Sequence, residues 1–285
     1  MPIEQAKSES TYVIDSESGV ETARLMHQDR LITEQLGGLF PVEIDSSRIS
    51  DILDLACGPG GWVLDVAHAY PKIQVVGIDI SQSMVRYANA QALAQGLDNA
   101  HFKVMDVLKP LACEDNSFDL VNARLLFGFM PTKAWPGLLG ECMRILRPGG
   151  LICLNECEIG ITNSPASERL SEIFLRGMQR VGMVFSPDAR HVGITAMLGG
   201  LLDGAGFKDI QQRAAVIDYS TGTEIHDAFC QNMMIGSKLA QPFMIKMGLT
   251  TQEEIDRLYQ ECQDEVYAED FRGVWYYLRV WGTKA

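Results

Sequence analysis

Glycine and acidic residues follow two short apolar segments of this sequence, and their spacing carries its clearest chemical signal. The first segment, Ile52-Leu53-Asp54-Leu55, leads directly into Ala56-Cys57-Gly58-Pro59-Gly60-Gly61. A glycine-rich turn between a strand and a helix exposes backbone N–H groups and a helix N-terminus to a ligand. Asp79 ends the second segment, about twenty residues beyond the glycines, where a carboxylate can accept hydrogen bonds from both hydroxyls of a ribose. This spacing predicts a site for a nucleotide-like cofactor.

Five apolar segments, separated by turns and helical patterns, position these side chains at one edge of a sheet. We predict strands over residues 52–55, 73–80, 101–105, 118–123 and 151–156. A helix over about 133–146 precedes the fifth strand and ends in Arg-Pro-Gly-Gly at 147–150. Since the carboxyl ends of parallel strands meet at one edge, the polar residues that follow the strands should lie close together.

This series of motifs resembles the class I S-adenosylmethionine-dependent methyltransferases, in particular the small-molecule branch similar to ubiquinone and menaquinone biosynthesis methyltransferases. The resemblance covers about residues 50–155 and rests on Asp-Leu-Ala-Cys-Gly-Pro-Gly-Gly, Asp-Ile-Ser-x-x-Met, an acid at 106 and Leu-Arg-Pro-Gly-Gly. It implies an α/β, Rossmann-like fold with a seven-stranded, mostly parallel sheet, whose antiparallel last strand lies between the fifth and sixth. It also implies S-adenosyl-L-methionine as cofactor and S-adenosyl-L-homocysteine as product.

The resemblance implies which residues hold the cofactor. Asp54 is expected to hold the glycine loop and the ammonium of the cofactor, Asp79 the ribose, and Asp106 the adenine amino group. The backbone of the loop would surround the methionine moiety, and apolar side chains would flank the adenine. The full set of expected cofactor-binding residues is Asp54, Ala56, Gly58, Gly60, Asp79, Ile80, Met84, Asp106, Val107 and Asn122.

Candidate catalytic residues are less clearly marked. A methyltransferase that acts on a weakly acidic hydroxyl needs a general base, commonly histidine, whereas other acceptors need none. Of the five histidines, His191 and His226 fall in segments expected to cover the site. Glu156 follows the fifth strand and is the candidate carboxylate for orienting or deprotonating the substrate.

Four further residues are candidates for contact with the substrate. Tyr12 and Gln28 belong to an N-terminal segment that, in the family resembled, often closes over the cofactor. Arg124 follows the fourth strand and would bind an anionic group or only pair with a surface acid. Met233 lies in a methionine-rich segment that forms either ordinary core or a pliable apolar pocket.

The remaining sequence is predicted to surround one sheet. We treat residues 1–285 as one methyltransferase domain with an N-terminal lid over 1–45 and helical cap insertions over 159–191 and 222–271. Helical spacing is present at 21–37, 167–182, 193–205, 224–239 and 251–268, and the sixth and last strands are expected at 207–219 and 274–281.

Composition limits the possible partners. The formal net charge of −13 argues against nucleic acid as substrate, because phosphate binding requires a basic surface. No apolar run approaches the ~20 residues of a membrane span, and the first residues lack a signal pattern, so we expect a cytoplasmic protein that acts on a small molecule. The seven scattered cysteines indicate reduced thiols and no metal site. Oligomeric state cannot be read from the sequence.

Two other functions fit part of the pattern. A protein that binds S-adenosylmethionine without transferring the methyl group, such as a cyclase-type enzyme, would have the same motifs. An NAD-dependent oxidoreductase uses a similar loop, but its fingerprint requires Gly or Ala where this chain has Val63.

Overall fold

One mixed sheet organises the chain in the computed structural model, which describes residues 11–41 and 43–285. The sheet has eight strands in the described part of the chain. In chain order they are β1 Asp51–Leu55, β2 Gln74–Asp79, β3 Ala100–Val104, β4 Phe118–Arg124, β5 Leu146–Cys157, β6 Ile161–Thr162, β7 Lys208–Asp218 and β8 Gly273–Thr283.

The order of the strands matches the expected Rossmann-like arrangement. The sheet runs β3-β2-β1-β4-β5-β8-β6, with β7 also paired to β8. Neighbours from β3 to β5 are parallel, and β8 is antiparallel to β5, β6 and β7. The prediction of a mostly parallel sheet with an antiparallel last strand is therefore confirmed. The additional strand β6 has only two residues, too few to show a period of two in the sequence.

Eight α-helices connect or cover these strands in the described residues. They are α1 Gly19–Gln35, α2 Gly61–Ala69, α3 Gln82–Gln95, α4 Trp135–Ile145, α5 Pro165–Arg180, α6 Leu198–Gly204, α7 His226–Lys246 and α8 Gln252–Val266. Side-chain oxygens of Ser81 and Thr251 accept the backbone N–H three residues ahead and so begin α3 and α8.

Several element boundaries differ from the prediction, among them the start of α6 at Leu198 instead of 193, and two of the differences have a local reason. Helix α7 does not end at Leu239 but continues to Lys246 through Pro242, because its buried face extends to Met244. A proline this close to the end of a helix disrupts only the last turns. The Arg-Pro-Gly-Gly turn belongs to β5, because Gly149 donates its N–H to Lys284 O and Gly150 accepts from Lys284 N.

The sheet is covered on both faces, and a third apolar cluster lies under the helices of the two insertions. Alternate residues of β1, such as Leu53 and Ile52, enter different clusters because successive side chains of a strand point to opposite faces. The third cluster joins α1, α5, α7 and α8 through Leu31, Ile173, Met244 and Leu258, among others. The two predicted insertions therefore fold against each other and against α1, which belongs to the predicted N-terminal lid. The first ten residues of that lid lie outside the described residues.

Among the described residues, no helix combines the length and apolarity that crossing a bilayer requires.

The packing of β8 yields a stability prediction at Gly273. A Cβ built there would lie 2.6 Å from the ring of Tyr219 and 3.0 Å from that of Phe271, both of which are buried. We expect Gly273→Ala to lower the free energy of unfolding by about 1–3 kcal/mol, measured by urea denaturation, because those rings must shift.

Gly200→Ala is the matched control. Gly200 lies in α6, is exposed, and has no atom within 4 Å of a built Cβ. Alanine there should raise the free energy of unfolding by about 0.5–1 kcal/mol, since glycine weakens a helix interior. Equal stability of the two variants would contradict the assigned packing at Gly273.

Candidate functional site

A cavity of about 360 Å³ lies at the carboxyl ends of β1, β2 and β4 and continues between α1, α5, α7 and α8. We call it the central cavity. Its mouth coincides with the point where the strand order reverses, between β1 and β4, which is the expected ligand position in an open parallel sheet. The cavity has a polar end beside the strand ends and an apolar arm beneath the helices.

The glycine loop after β1 forms one wall of the polar end. Ala56 has φ 52° and Gly58 has φ 54°, both in the left-handed region. For Ala56 this conformation is strained, and the hydrogen bond from Cys57 N to Ile78 O, 2.9 Å, holds it in place. Gly58 faces the cavity, and a Cβ there would meet only Leu25 and Met84 at 3.7–3.8 Å. The loop therefore presents backbone to the cavity.

Gly60 differs from the expectation that it leaves room for a ligand. It does not line the central cavity, and its N–H donates to Cys57 O. Its φ is 84°, and a Cβ would lie 2.5 Å from the ring of Phe102 and 2.9 Å from Ala88. The structure therefore assigns Gly60 to the turn and to packing, not to ligand contact.

The Asp79 carboxylate joins two turns at the polar end. Its Oδ2 accepts from Gly58 N and its Oδ1 from Ser81 N, each at 2.8 Å. Asp79 is buried and lines the cavity. Burial raises the pKa of Asp79, while the backbone N–H groups oppose that effect.

Asp54 is buried on β1, the strand next to β2, which ends in Asp79. Its Oδ1 accepts from Asn122 Nδ2 at 2.7 Å. Burial raises the pKa of Asp54 to about 7, the hydrogen bond from Asn122 opposes the rise, and the nearby Asp79 adds to it. Asp54 lines the cavity, but Asn122 does not, because it lies behind the carboxylate. The contact that the structure shows for Asn122 is with Asp54, and its expected place near the methionine moiety stays a prediction.

The expected adenine-binding residues all face the cavity. Ile80 and Met84 follow β2, and Asp106 and Val107 follow β3. Asp106 Oδ1 accepts from Leu108 N at 2.9 Å, a turn-forming contact. Of the ten residues expected to bind the cofactor, those that line the cavity are Asp54, Ala56, Gly58, Asp79, Ile80, Met84, Asp106 and Val107.

The apolar arm lies beneath the two insertions. Side chains from one face of α7 line it at helical spacing, and α5 supplies others. Among them are Phe174, Phe229, Met233, Met234, Ala240 and Met244. The methionine-rich segment thus lines a cavity as well as forming core, which gives the arm adaptable walls.

All four substrate candidates, Tyr12, Gln28, Arg124 and Met233, line the central cavity. Tyr12 Oη donates to Glu21 Oε1 at 2.6 Å, and this fully buried glutamate also accepts from Arg24 Nε and Nη2 at 2.7 and 2.6 Å. Burial and the glutamate charge raise the pKa of Tyr12. The tyrosine therefore stays neutral and fastens the N-terminal segment to α1.

Arg124 is paired inside the protein. Its guanidinium forms an ion pair with the buried Asp29 of α1 and donates to Thr33 Oγ1 at 3.1 Å. Asp29 also lies against Gly61 at the N-terminus of α2, where a negative charge is favoured. Of the two roles considered for Arg124, the structure supports pairing with an acid, although that acid is buried.

Of the described residues that line the central cavity, none is one of the three predicted catalytic side chains. His226 is buried among aromatic rings, its Nδ1 2.9 Å from Tyr219 O. His191 is exposed on a separate surface depression. Glu156 accepts from Leu126 N and Phe127 N at 2.7 and 3.3 Å, so it supports the turn after β4. The expectation of a base among these three is not supported.

Sequence reasoning missed the buried polar side chains of α1. Glu21, Arg24 and Asp29 are each at most 8% exposed, and the last two line the cavity. Their three-residue spacing from Glu21 to Arg24 is a common surface ion-pair pattern, so the sequence gave no signal of burial. The apolar positions used to predict this helix did not distinguish its two faces.

Comparison with known proteins identifies the framework. Residues 52–150 match a family model described as a methyltransferase domain. The chain is 30% identical over 138 residues to demethylmenaquinone methyltransferase of Lactococcus lactis, covering 47% of this chain and 52% of that protein. It is 35% identical over 156 residues to nocamycin O-methyltransferase of Saccharothrix syringae, covering 52% of each. The chain spans about half the length of the curated relatives it matches.

Solved structures agree on the fold. Phosphoethanolamine N-methyltransferase 2 of Haemonchus contortus, solved with S-adenosyl-L-methionine, aligns with a TM-score of 0.54 and 17% identity, over 94% of this chain and 57% of that chain. A putative methyltransferase of Bacillus halodurans aligns with a TM-score of 0.52 and 15% identity, over 93% of this chain and 99% of that chain.

Burial of Glu156 predicts how stability depends on pH. Burial raises the pKa of Glu156 to about 8 from an ordinary 4.5. Since the folded state keeps this proton longer, the free energy of unfolding falls as pH rises between those two values, by at most about 1.4 kcal/mol per pH unit. We expect Glu156→Gln to reduce this fall, measured by urea denaturation from pH 5 to 8.

Glu172→Gln is the control, because Arg169 holds the pKa of Glu172 below its usual value. That group stays ionised throughout the range, so the difference between the control and the parent protein should be independent of pH. If the free energy of unfolding changes with pH in the same way in Glu156→Gln and in the parent protein, Glu156 is not protonated in the folded state.

Proposed function

We propose that this protein, which carries a class I S-adenosylmethionine-dependent methyltransferase domain and uses S-adenosyl-L-methionine as cofactor, methylates a neutral, largely apolar small molecule on O, N or C. One observation carries the proposal: the central cavity joins strand-end carboxylates to an apolar arm whose nearest cations are already paired.

The polar end fits the cofactor by the chemistry of its groups. Asp54 and Asp79 are acceptors for an ammonium and for ribose hydroxyls, and Gly58 presents backbone without a side chain. Ile80 and Met84 offer apolar surface on which an adenine can lie. When bound, S-adenosylmethionine supplies an electrophilic methyl group on a sulfonium.

The residues then act by binding and positioning. We assign the ribose to Asp79, whose contacts to Gly58 N and Ser81 N keep its oxygens fixed. We assign the ammonium to Asp54 and the adenine amino group to Asp106. Fixing the methyl group and the acceptor in one orientation removes the entropic cost of their meeting.

The charges around the cavity favour a neutral acceptor. Its charged lining residues are Arg24, Asp29, Asp54, Asp79, Asp106 and Arg124. Arg24 donates to Glu21 and Asn232, and Arg124 is paired with Asp29. An anionic acceptor would therefore enter a low-dielectric arm without a free cation, which is costly. This supports an uncharged acceptor.

The acceptor must be nucleophilic without an imidazole base, because no histidine of the described chain lines the cavity. An amine, or a hydroxyl or carbon acid that loses its proton to water, meets this condition. The acceptor's lone pair forms the bond to the methyl carbon, and the electrons of the carbon–sulfur bond remain on sulfur. We infer that the insertions over 159–191 and 222–271 form the cap that excludes water during this step.

The assignment of Asp79 predicts a loss of cofactor affinity. In Asp79→Asn, an acceptor oxygen is replaced by an N–H donor and a charge is lost. We expect the dissociation constant for S-adenosylmethionine, measured by calorimetry, to rise at least about tenfold, since charge-assisted hydrogen bonds contribute about 1.5–3 kcal/mol each.

Asp98→Asn is the matched control, because Asp98 is an exposed residue in the turn between α3 and β3. It should leave the dissociation constant unchanged. Unchanged affinity in a folded Asp79→Asn variant would contradict the ribose assignment.

The apolar arm predicts a separation of acceptor and cofactor binding. Ala240 lines the arm on α7, and phenylalanine there would fill it. We expect Ala240→Phe to abolish release of S-adenosylhomocysteine with neutral aromatic or isoprenoid alcohols and amines, while affinity for S-adenosylmethionine stays within about twofold.

Gln231→Phe, on the exposed side of the same helix, is the control and should keep activity. Each neutral acceptor is tested beside its carboxylate analogue, and faster methylation of the carboxylates would contradict the neutral class. Tight cofactor binding without methylation of any acceptor would favour a non-methylating function.

A further inference from the structure

Four buried polar side chains lie side by side across neighbouring strands on one face of the sheet. They are Asp54 on β1, Asn122 on β4, Asn155 on β5 and Arg279 on β8, each at most 5% exposed. Asp54 is in register with Asn122, and Asn155 is in register with Arg279. Such a polar row in a sheet interior is costly unless its groups satisfy one another.

Hydrogen bonds connect the row from end to end. Arg279 Nε donates to Asn155 Oδ1 at 2.6 Å, and Asn155 Nδ2 donates to Asn122 Oδ1 at 3.4 Å. Asn122 Nδ2 donates to Asp54 Oδ1 at 2.7 Å. At the other end, Arg279 Nη2 donates to Gly38 O, 3.1 Å, in the turn after α1. We call these four side chains the sheet relay.

The Arg279 guanidinium fixes how the two asparagine amides of the sheet relay are oriented. Arginine has donors and no acceptor, so Asn155 must turn its oxygen towards Arg279 and its nitrogen towards Asn122. Asn122 then accepts with its oxygen and turns its own nitrogen towards Asp54. Either amide flipped alone would set two donors or two acceptors against each other.

Arg279 lacks an ordinary structural reason to be buried. Within residues 11–41 and 43–285, it forms no ion pair with a carboxylate. Burial and the nearby Arg213 lower the pKa of Arg279. A buried cation without an ion-pair partner destabilises the fold, so its contacts to Asn155 and Gly38 point to a role outside stability.

We propose that Arg279 is a positioning residue that acts through Asn155 and Asn122 to keep an N–H donor directed at Asp54, which favours the ionised carboxylate beside the cofactor. The inference rests on the proposed function only in assigning the cofactor ammonium to Asp54. Neither Arg279 nor Asn122 lines the central cavity, so Arg279 acts at a distance.

The Asp54 carboxyl titrates near neutral pH, so the orientation of the Asn122 amide affects how much of it is ionised. Burial raises the pKa of Asp54 to about 7, and the N–H of Asn122 opposes the rise. Without Arg279, Asn122 is free to present its oxygen instead, which favours the protonated carboxyl. The titratable or charged groups around the two ends are Asp79 and Cys57 near Asp54, and Arg124, Cys153, Arg213 and Glu43 near Arg279.

The test follows the Asp54 carboxyl by carbon-13 NMR in the protein without ligand, assigned with Asp54→Asn. In Arg279→Met we expect its titration midpoint to rise by about one pH unit or more. Arg213→Met is the matched control: Arg213 is opposite Arg279 in register, but it is partly exposed and paired with Glu43. Its removal takes a positive charge away without breaking the sheet relay.

Two further variants distinguish a positioning role of Arg279 from damage to the fold. Asn155→Leu interrupts the sheet relay at another point and should give the same shift, and Arg279→Lys, which keeps a donor, should largely restore the parent midpoint. Midpoints that are equal in Arg279→Met, Arg213→Met and the parent would overturn the proposal. If Arg279→Met does not fold, the titration midpoint of Asp54 in Asn155→Leu decides the proposal.

Cofactor affinity provides an independent measurement between pH 6 and 9. S-adenosylmethionine carries an ammonium and a sulfonium, so it should bind more weakly when Asp54 is protonated. We expect Arg279→Met to weaken binding about fivefold near pH 7 and much less at pH 9, as a rise of one pH unit in the midpoint requires, whereas a loss that is equal at every pH would overturn the role. If the parent protein does not bind the cofactor, the proposed function is refuted. The NMR titration midpoints of Asp54 still decide whether the sheet relay controls its ionisation.

Discussion

The contact of Asp79 with two backbone N–H groups is the interaction on which the site depends. It joins the glycine loop after β1 to the turn that begins α3, so one side chain fixes both walls of the polar end. The two turns follow neighbouring parallel strands, and only the reversal of strand order beside β1 leaves space above them. The fold thus provides the crevice, and one carboxylate gives the crevice its shape.

Charge is handled differently at the two ends of the central cavity. The polar end holds Asp54 and Asp79 in buried positions, where each is stabilised by donated N–H groups, while Asp106 beside them is paired with Lys109. The junction with the apolar arm holds two arginines, each neutralised by an acid from α1. These charges suit a cationic ligand in the first environment and an uncharged one in the second, as the proposed function requires.

Sequence reasoning reached the framework because its signals are local. The glycine turn and the acid at the end of β2 each require a residue type at a fixed distance from a strand, and both were found. It failed where the role of a residue depends on distant parts of the chain. Gly60 faces Phe102 and does not line the cavity, and neither histidine of the insertions lines it. Such facts depend on how the insertions fold over the sheet, which no local spacing encodes.

The buried side chains of α1 were missed for the same reason, and so was the sheet relay. Asn122, Asn155 and Arg279 are separated by many residues and meet only because β8 lies beside β5. Predicting their contact requires the exact register of an antiparallel strand, in which a slip of one residue would turn each side chain to the other face.

Helix α1 touches both ligand regions, and this has a consequence for their thermodynamics. Arg24 donates to Asn232 Oδ1 at 3.2 Å, and Asn232 Nδ2 donates back to Arg24 O at 3.0 Å, so α1 and α7 are connected in both directions. The same helix holds Tyr12 through Glu21. If binding of either ligand orders α1, it also orders part of the surroundings of the other ligand, and the two affinities are then coupled. Whatever factor one ligand gains from the presence of the other, reciprocity requires that the second gain the same factor from the first.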